Sequence, residues 1–377
     1  MIATFLNSAL HMYEPTVRGV PNLAFLWPAF AAAATSEMAA LFAKQCAHFA
    51  VGQHDAAAGE PAWATPHGFA LELKTARLRD FTTSGEGPAT LLCAPYALHG
   101  AVIADLAPSH SLVGTLRDSG LRRLFVADWR SATEDMRFLG IDDYLADLNV
   151  LVDEVGAPVN LVGVCQGGWL ALMYAARFPT KVRKLVLAGA PVDTKAASSA
   201  LTSLAGDSPL QAFEELVRLG DGLVPGRNVL KFWGPQIISA EDVRDLLHIE
   251  AAIGSPAFAK IEARFREWYA WTLDLPGTYF IEVVERLYKR NELAAGSFQA
   301  LGRAIDLAAV HAPAFLLAAR DDELVAPAQL FAAAHLVGTP AGQVHTAIAP
   351  CRHLGLFMNR AVLDEIWPKI AAWLNGT

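Results

Sequence analysis

Cys165, Asp322 and His353 are the residues whose types and order in the chain could together do covalent chemistry. A deprotonated thiol attacks a carbonyl carbon, an imidazole takes that proton near neutral pH, and a carboxylate holds the imidazole in one tautomer and stabilises its cation. Cys165 lies in Gly163-Val164-Cys165-Gln166-Gly167, between the mostly apolar run 159–164 and the helix-like stretch 169–176. Strand, tight turn and helix are the setting of a nucleophile elbow. Its glycines let backbone pack where a Cβ would not fit. A helix N-terminus just after Cys165 also favours an anion there. The plainer reading is a buried structural cysteine in a glycine-rich turn, because free cysteine is among the most buried residue types.

The elements that would have to position these groups follow in order. Alternation at Leu71, Leu73, Ala76, Leu78 and Phe81 predicts edge strands. The run 89–94 reads as a buried parallel strand, 109–118 as a helix, 124–129 as a strand and 141–155 as a helix. The elbow comes next, followed by a strand over 182–189. Regular alternation of this kind predicts βαβ units on a parallel sheet. It stops between about 193 and 307, where helix-like segments predominate: 210–219, 240–253, 257–271 and 279–291. Strands return at 314–319 and 344–349, and 361–374 reads as a closing amphipathic helix. Cys165, Asp322 and His353 then all follow strand ends, where open α/β sheets place their sites.

Nucleophile, acid, histidine is the chain order of α/β-hydrolases. The expected fold is therefore an α/β-hydrolase type, with a mostly parallel central sheet, helices on both faces and an inserted helical cap. Its parts are an N-terminal helical arm and linker (1–66), a core (67–195 and 305–377) and a cap (196–304). For the acid, Asp321 and Asp193 are rivals of Asp322; His345, inside a strand, is a weaker rival of His353. An oxyanion hole is expected from the backbone N–H of Gln166 and that of Ala97, in the loop after the first parallel strand. His99 in that loop is either a substrate contact or an exposed loop histidine. The cap is rich in aromatics (Phe232, Trp233, Phe265, Trp268, Tyr269, Trp271, Tyr279, Phe280), most of them expected in its own core. Trp233, Trp268 and Trp271 are the candidates for lining an apolar substrate channel.

Bulk properties narrow the function classes. The 377 residues are 53% hydrophobic and 18% charged, enough for a large core. A net charge of −8 leaves no basic stripe for nucleic acid. Cys46, Cys93, Cys165 and Cys351 are scattered without metal-ligand spacing, so neither disulfides, metal nor cofactor is expected. No signal peptide is read at the start, and the greasy stretch 23–34 is too short to span a bilayer and holds Pro28. The location expected is cytoplasmic. The apolar cluster 25–30 is read as packing on the protein's own core in preference to docking on a hydrophobic surface.

The chain resembles the superfamily of polyhydroxyalkanoate synthases and intracellular polyhydroxybutyrate depolymerases, and most closely its short synthases. The resemblance is carried by Asp105-Leu106-Ala107-Pro108-Ser109-His110-Ser111, Phe125-Val126-Ala127-Asp128-Trp129, Asp142-Asp143-Tyr144, Gly163-Val164-Cys165-Gln166-Gly167-Gly168, Ala190-Pro191-Val192-Asp193 and Arg320-Asp321-Asp322-Glu323. It covers about 88–195 and 312–375 and fades in the cap. It implies Cys165 as the acyl-accepting nucleophile, Asp322 as acid and His353 as base, a polyester or hydroxyacyl ester as substrate, a granule surface as a partner and self-association as a homodimer. Glu323 stands where synthases usually carry histidine, Leu98-His99-Gly100 departs from their oxyanion loop, and Arg352 replaces a glycine before His353. Those departures favour a hydrolase cleaving poly- or oligo(3-hydroxybutyrate) esters through a Cys-bound acyl group. A synthase drawing hydroxyacyl groups from coenzyme A thioesters is the alternative. A non-catalytic granule-associated protein is the third reading.

Overall fold

The computed structural model describes residues 59–233 and 239–376, with the side chains of 230–233 outside that description. The expected helix over 31–50 and the cluster at 25–30 also lie outside it. Eight strands form one sheet: β1 (Gly68–Glu72), β2 (Ala76–Asp80), β3 (Thr90–Cys93), β4 (Leu124–Trp129), β5 (Val159–Val164), β6 (Val182–Ala188), β7 (Ala314–Ala319) and β8 (Val344–Ala349). Their spatial order is β1-β2-β4-β3-β5-β6-β7-β8. β1 and β2 run antiparallel to their neighbours, and the other six are parallel.

From β3 the chain turns first to β4 on one side and then crosses to β5 on the other. That reversal opens a crevice beyond the carboxyl ends of β3 and β5, the place where doubly wound sheets bind ligands. All six residues of β5 are buried, as suits a strand covered on both faces. One apolar cluster packs on each face of the sheet. Helices α1 (Leu112–Asp118), α2 (Ile141–Val155) and α3 (Gln166–Arg177) connect the parallel strands. In α2 the buried positions Ile141, Tyr144, Leu145, Leu148, Leu151, Val152 and Val155 recur at helical spacing.

Between β6 and β7 come α4 (Ala200–Asp207), α5 (Leu210–Leu219), α6 (Gly226–Trp233), α7 (Ala240–Leu247), α8 (Pro256–Ala270) and α9 (Gly277–Glu282). The last continues as a wider π-helical stretch, Val283–Lys289. Several boundaries differ from the sequence expectation, each for a local reason. The first helix begins at Leu112, not 109, because Ser111 caps it by accepting from the Gly114 N–H at 2.7 Å. Ser111 is itself held by buried Asp105, which also binds Thr65. α7 stops at Leu247 because His248 takes the left-handed conformation. The C-terminal segment is two helices, Arg360–Glu365 and Trp367–Asn375. Pro368, in the first turn of the second, has no N–H to continue the first.

Three glycines set how closely α3 approaches the sheet. A Cβ on Gly163 would lie 2.5 Å from Gly168 Cα, one on Gly168 would lie 2.3 Å from Ala190 Cβ, and one on Gly167 would lie 2.2 Å from the Cys93 carbonyl oxygen. The last collision is with backbone of β3, which cannot move without disturbing the sheet. Gly167→Ala is therefore expected to destabilise the protein by about 1–3 kcal/mol, read as a lower urea midpoint at unchanged m-value. An unchanged midpoint would contradict this packing.

Candidate active site

Cys165 joins β5 to α3 with φ 51° and ψ −125°. A non-glycine residue at positive φ is strained, and the strain lifts the thiol out of the turn as the elbow requires. The turn is tied down by the Cys165 N–H donating to Ala188 O at 2.8 Å and the Gly168 N–H donating to Cys165 O at 2.9 Å. Cys165 is half-buried and stands at the N-terminus of α3. Cys93 and Cys351 are buried, and burial pushes both thiols up to about 12.

His353 Nε2 lies 3.1 Å from Cys165 Sγ, and His353 Nδ1 lies 2.7 Å from Asp322 Oδ2. The other Asp322 oxygen accepts from the N–H groups of Leu324 and Val325 at 2.9 and 2.8 Å. The imidazole and carboxylate are nearly sealed from solvent, with side-chain exposures of 1% and 0%. Burial, the largest single influence on His353, lowers its pKa. The Asp322 carboxylate and Cys165 together outweigh it and hold the imidazole well above its ordinary 6.5. The arrangement is one in which the proton of the thiol can rest on the ring.

The rivals are elsewhere. Asp193 accepts from Asn291 Nδ2 and the Lys195 N–H. Asp321 faces a separate surface depression with Arg352 and Asp245. His345 sits on β8, stacked on Phe315 and edge-on to Trp373. Glu323 bridges the two loops that carry the pair: its carboxylate accepts from Arg352 Nη2 at 3.0 Å. Two of the three departures from the synthase pattern thus bind one another.

A cavity of about 200 Å³ opens above Cys165 and His353. Both expected oxyanion residues, Gln166 and Ala97, line it. Gln166 is the first residue of α3, whose N–H has no acceptor within the helix. The loop carrying Ala97 is gripped by aromatic side chains. Trp129 Nε1 donates to Ala94 O at 3.0 Å, Tyr144 Oη donates to Tyr96 Oη at 3.0 Å, and Tyr279 Oη donates to Tyr96 O at 3.3 Å. Two of the segments that carry the family resemblance, around Trp129 and Tyr144, therefore brace this loop.

His99 is buried, not an exposed loop histidine, and it borders the cavity. Its Nδ1 donates to the Trp271 carbonyl at 3.1 Å, and burial drives its pKa down to about 4, so the ring is neutral. Trp268 and Trp271 do not line the cavity. Trp268 is fully buried 4.4 Å from the His99 ring, and the Trp271 ring covers Gly100, where a Cβ would come within 2.3 Å. Both pack on the loop that carries Ala97, and α8 lies against the short ladder at 105–107. The Trp233 side chain lies outside the described residues. The apolar lining comes instead from residues that periodicity did not single out, among them Leu201, Leu204, Phe213, Val284 and Leu324, joined by Phe280. Tyr288 was also missed; it borders the cavity and binds Gln166. Among the described residues, no group of histidine, cysteine and carboxylate side chains is placed to hold a metal, and no helix is long and apolar enough to cross a membrane.

Comparison with known proteins bears on fold and family. A family model described as alpha/beta hydrolase fold matches residues 108–227, and one described as PHB de-polymerase C-terminus matches 244–377. The chain is 29% identical to a poly(3-hydroxyalkanoate) polymerase subunit of Synechocystis sp., over 72% of this chain and 74% of that protein. It is 26% identical to the polymerase subunit of Allochromatium vinosum, over 76% and 81%, and 27% identical to that of Thiocystis violacea, over the same shares. Among solved structures, a monoacylglycerol lipase of Paleococcus ferrophilus superposes with a TM-score of 0.52 at 15% identity, covering 81% of this chain and 98% of the lipase. That likeness is one of fold.

The raised His353 has a consequence for stability. Its protonated form, favoured by Asp322, adds stability that is fully present below the unfolded value near 6.5 and is lost as pH rises through the raised native value. Asp322→Asn removes the main favourable influence. The urea-midpoint gap between wild type and Asp322→Asn should therefore be widest below pH 6.5 and narrow as pH rises. A gap that widens with pH would show that the carboxylate does not favour the imidazolium.

Proposed function

Since the chain is an enzyme of the α/β-hydrolase superfamily that belongs with the polyhydroxyalkanoate synthases and depolymerases, we propose that it builds polyester by acyl transfer through Cys165. The observation that carries this is the pairing of a cysteine nucleophile with relatives named as polymerase subunits over about three quarters of the chain. A thiol exchanges readily with a thioester, because bonds of the same kind are broken and made. Attack on an oxygen ester would produce a higher-energy thioester, which disfavours polymer cleavage as the first step. This reading replaces the ester hydrolase expected from the departures at Leu98-His99-Gly100, Glu323 and Arg352: Glu323 and Arg352 join in a surface brace outside the cavity, while Leu98 and His99 line it, with His99 Nδ1 turned to the Trp271 carbonyl.

In the first half-reaction the Cys165 thiolate attacks the thioester carbonyl of a hydroxyacyl-CoA. The oxyanion is received by the N–H groups of Gln166 and Ala97. The C–S bond to coenzyme A breaks, and His353 protonates the departing thiolate. In the second, the hydroxyl of another hydroxyacyl unit gives its proton to His353 and attacks the acyl group on Cys165. An ester forms and the thiol is released. Asp322 orients His353 throughout. The apolar cavity supports transfer over hydrolysis because it offers water few partners. Residues 196–304 act in this scheme as a cap over the core, Glu60 pairs with Arg77 and Arg79 of β2, and the enzyme works at the surface of its insoluble product as a homodimer. No cofactor takes part.

The test is incubation of the purified protein with 3-hydroxybutyryl-CoA. Free thiol should appear together with polymer. Cys165→Ala and His353→Ala should each lower thiol release by at least about 10³-fold, in line with losses of triad members elsewhere. Release of free 3-hydroxybutyrate without polymer would sink the transferase reading in favour of hydrolysis. Unchanged turnover by Cys165→Ala would sink the covalent route itself.

A further inference from the structure

Tyr288 brings to the cavity a cap hydroxyl whose hydrogen-bonding direction can be read from its neighbours. An indole N–H only donates, and Trp169 Nε1 lies 2.5 Å from Gln166 Oε1. That orients the Gln166 amide, so its Nε2 faces Tyr288 Oη at 2.6 Å and donates to it. An amide NH₂ does not accept, and the phenol oxygen must be the acceptor. The phenolic proton is then left to point elsewhere, and among the described residues no protein group takes it. Burial raises the Tyr288 pKa, opposed by the Gln166 hydrogen bond, with nearby Cys165 adding to the rise. The proton therefore stays on the phenol at working pH.

Trp169 is fully buried in α3, so this chain of donors starts from a rigid anchor and ends at the cavity wall beside the nucleophile. A 3-hydroxyacyl thioester brings two oxygens into that otherwise carbon-rich space. The carbonyl oxygen goes to the Gln166 and Ala97 N–H groups. The oxygen on C3 needs a donor, and Tyr288, on the π-helical stretch of the cap, lines the same cavity beside the Gln166 side chain. We propose that Tyr288 is the specificity residue for the 3-oxygen, donating its O–H to the C3 hydroxyl of the acyl group carried on Cys165. The inference rests on the acyl-transfer reading and adds to it the residue that distinguishes a 3-hydroxyacyl group from a plain acyl group. A site built to hydrogen-bond a hydroxyl discriminates strongly against the analogue without one, because its own donor is left unpaired.

The experiment compares thiol release from 3-hydroxybutyryl-CoA and butyryl-CoA on the same sample, as a ratio of kcat/KM values. A ratio is unaffected by the fraction of protein that is folded, so loss of structure cannot imitate the result. Wild type is expected to favour the hydroxyacyl donor by at least about tenfold, and Tyr288→Phe to reduce that preference by about tenfold. Trp169→Phe, which frees the Gln166 amide to turn, is expected to reduce it by less. An unchanged ratio in Tyr288→Phe, or no preference in the wild type, overturns the inference and leaves acyl transfer standing. No thiol release from either donor, with Cys165 unmodified by mass, overturns both.

Discussion

Cys165 can stand at positive φ only because α3 lies unusually close to the sheet. Strain of that kind costs on the order of 1–3 kcal/mol and persists where the surroundings over-determine it. Here the surroundings are three glycines without room for a Cβ, a fully buried β5 and an α3 buried along nearly its whole length. The same close approach sets the first turn of α3 against the end of β3, and with it the distance between the Gln166 N–H and the loop that carries Ala97. Cys165 and the candidate oxyanion residues Gln166 and Ala97 are thus placed by one packing constraint.

The imidazole and carboxylate arrive from the other end of the chain on two loops that follow β7 and β8. Parallel pairing of these strands brings the loops together, and the Glu323–Arg352 pair spans them on the surface. Inside, Asp322 is satisfied by two backbone N–H groups and by His353, so a fully buried carboxylate has three hydrogen bonds. Such satisfaction makes its burial tolerable. The loop that carries Ala97 is braced by Trp129, Tyr144 and Tyr279, and Trp268 and Trp271 pack on it. Of these five aromatic side chains only Tyr279 also lines the cavity; the other four hold the loop from outside it.

Local patterns made much of this legible. The all-apolar run of β5, the glycines beside Cys165 and the helical spacing in α2 each record burial at their own positions, so the parallel core and the order of Cys165, Asp322 and His353 could be read along the chain. Helix ends in the cap were less legible, because the left-handed turn at His248 and the π-helical widening at 283–289 carry no strong sequence signal. The choice of Trp268 and Trp271 as channel residues failed for a different reason. A tryptophan reports that apolar surface is being buried, but its type does not say which surface. Both pack on a loop.

What the amino-acid order determined by itself is the chemistry available: a thiol on a tight glycine-flanked turn, an imidazole and a carboxylate at strand ends, and a net charge of −8. Which carboxylate meets the imidazole, that His99 is neutral and turned toward Trp271, that Glu323 holds Arg352, and that Tyr288 reaches Gln166 were decided only by the tertiary structure. Each of these joins residues from segments far apart along the chain, or depends on the dielectric around a buried group. Periodicity reports a residue's burial along its own element, and contacts of that kind leave no trace in it.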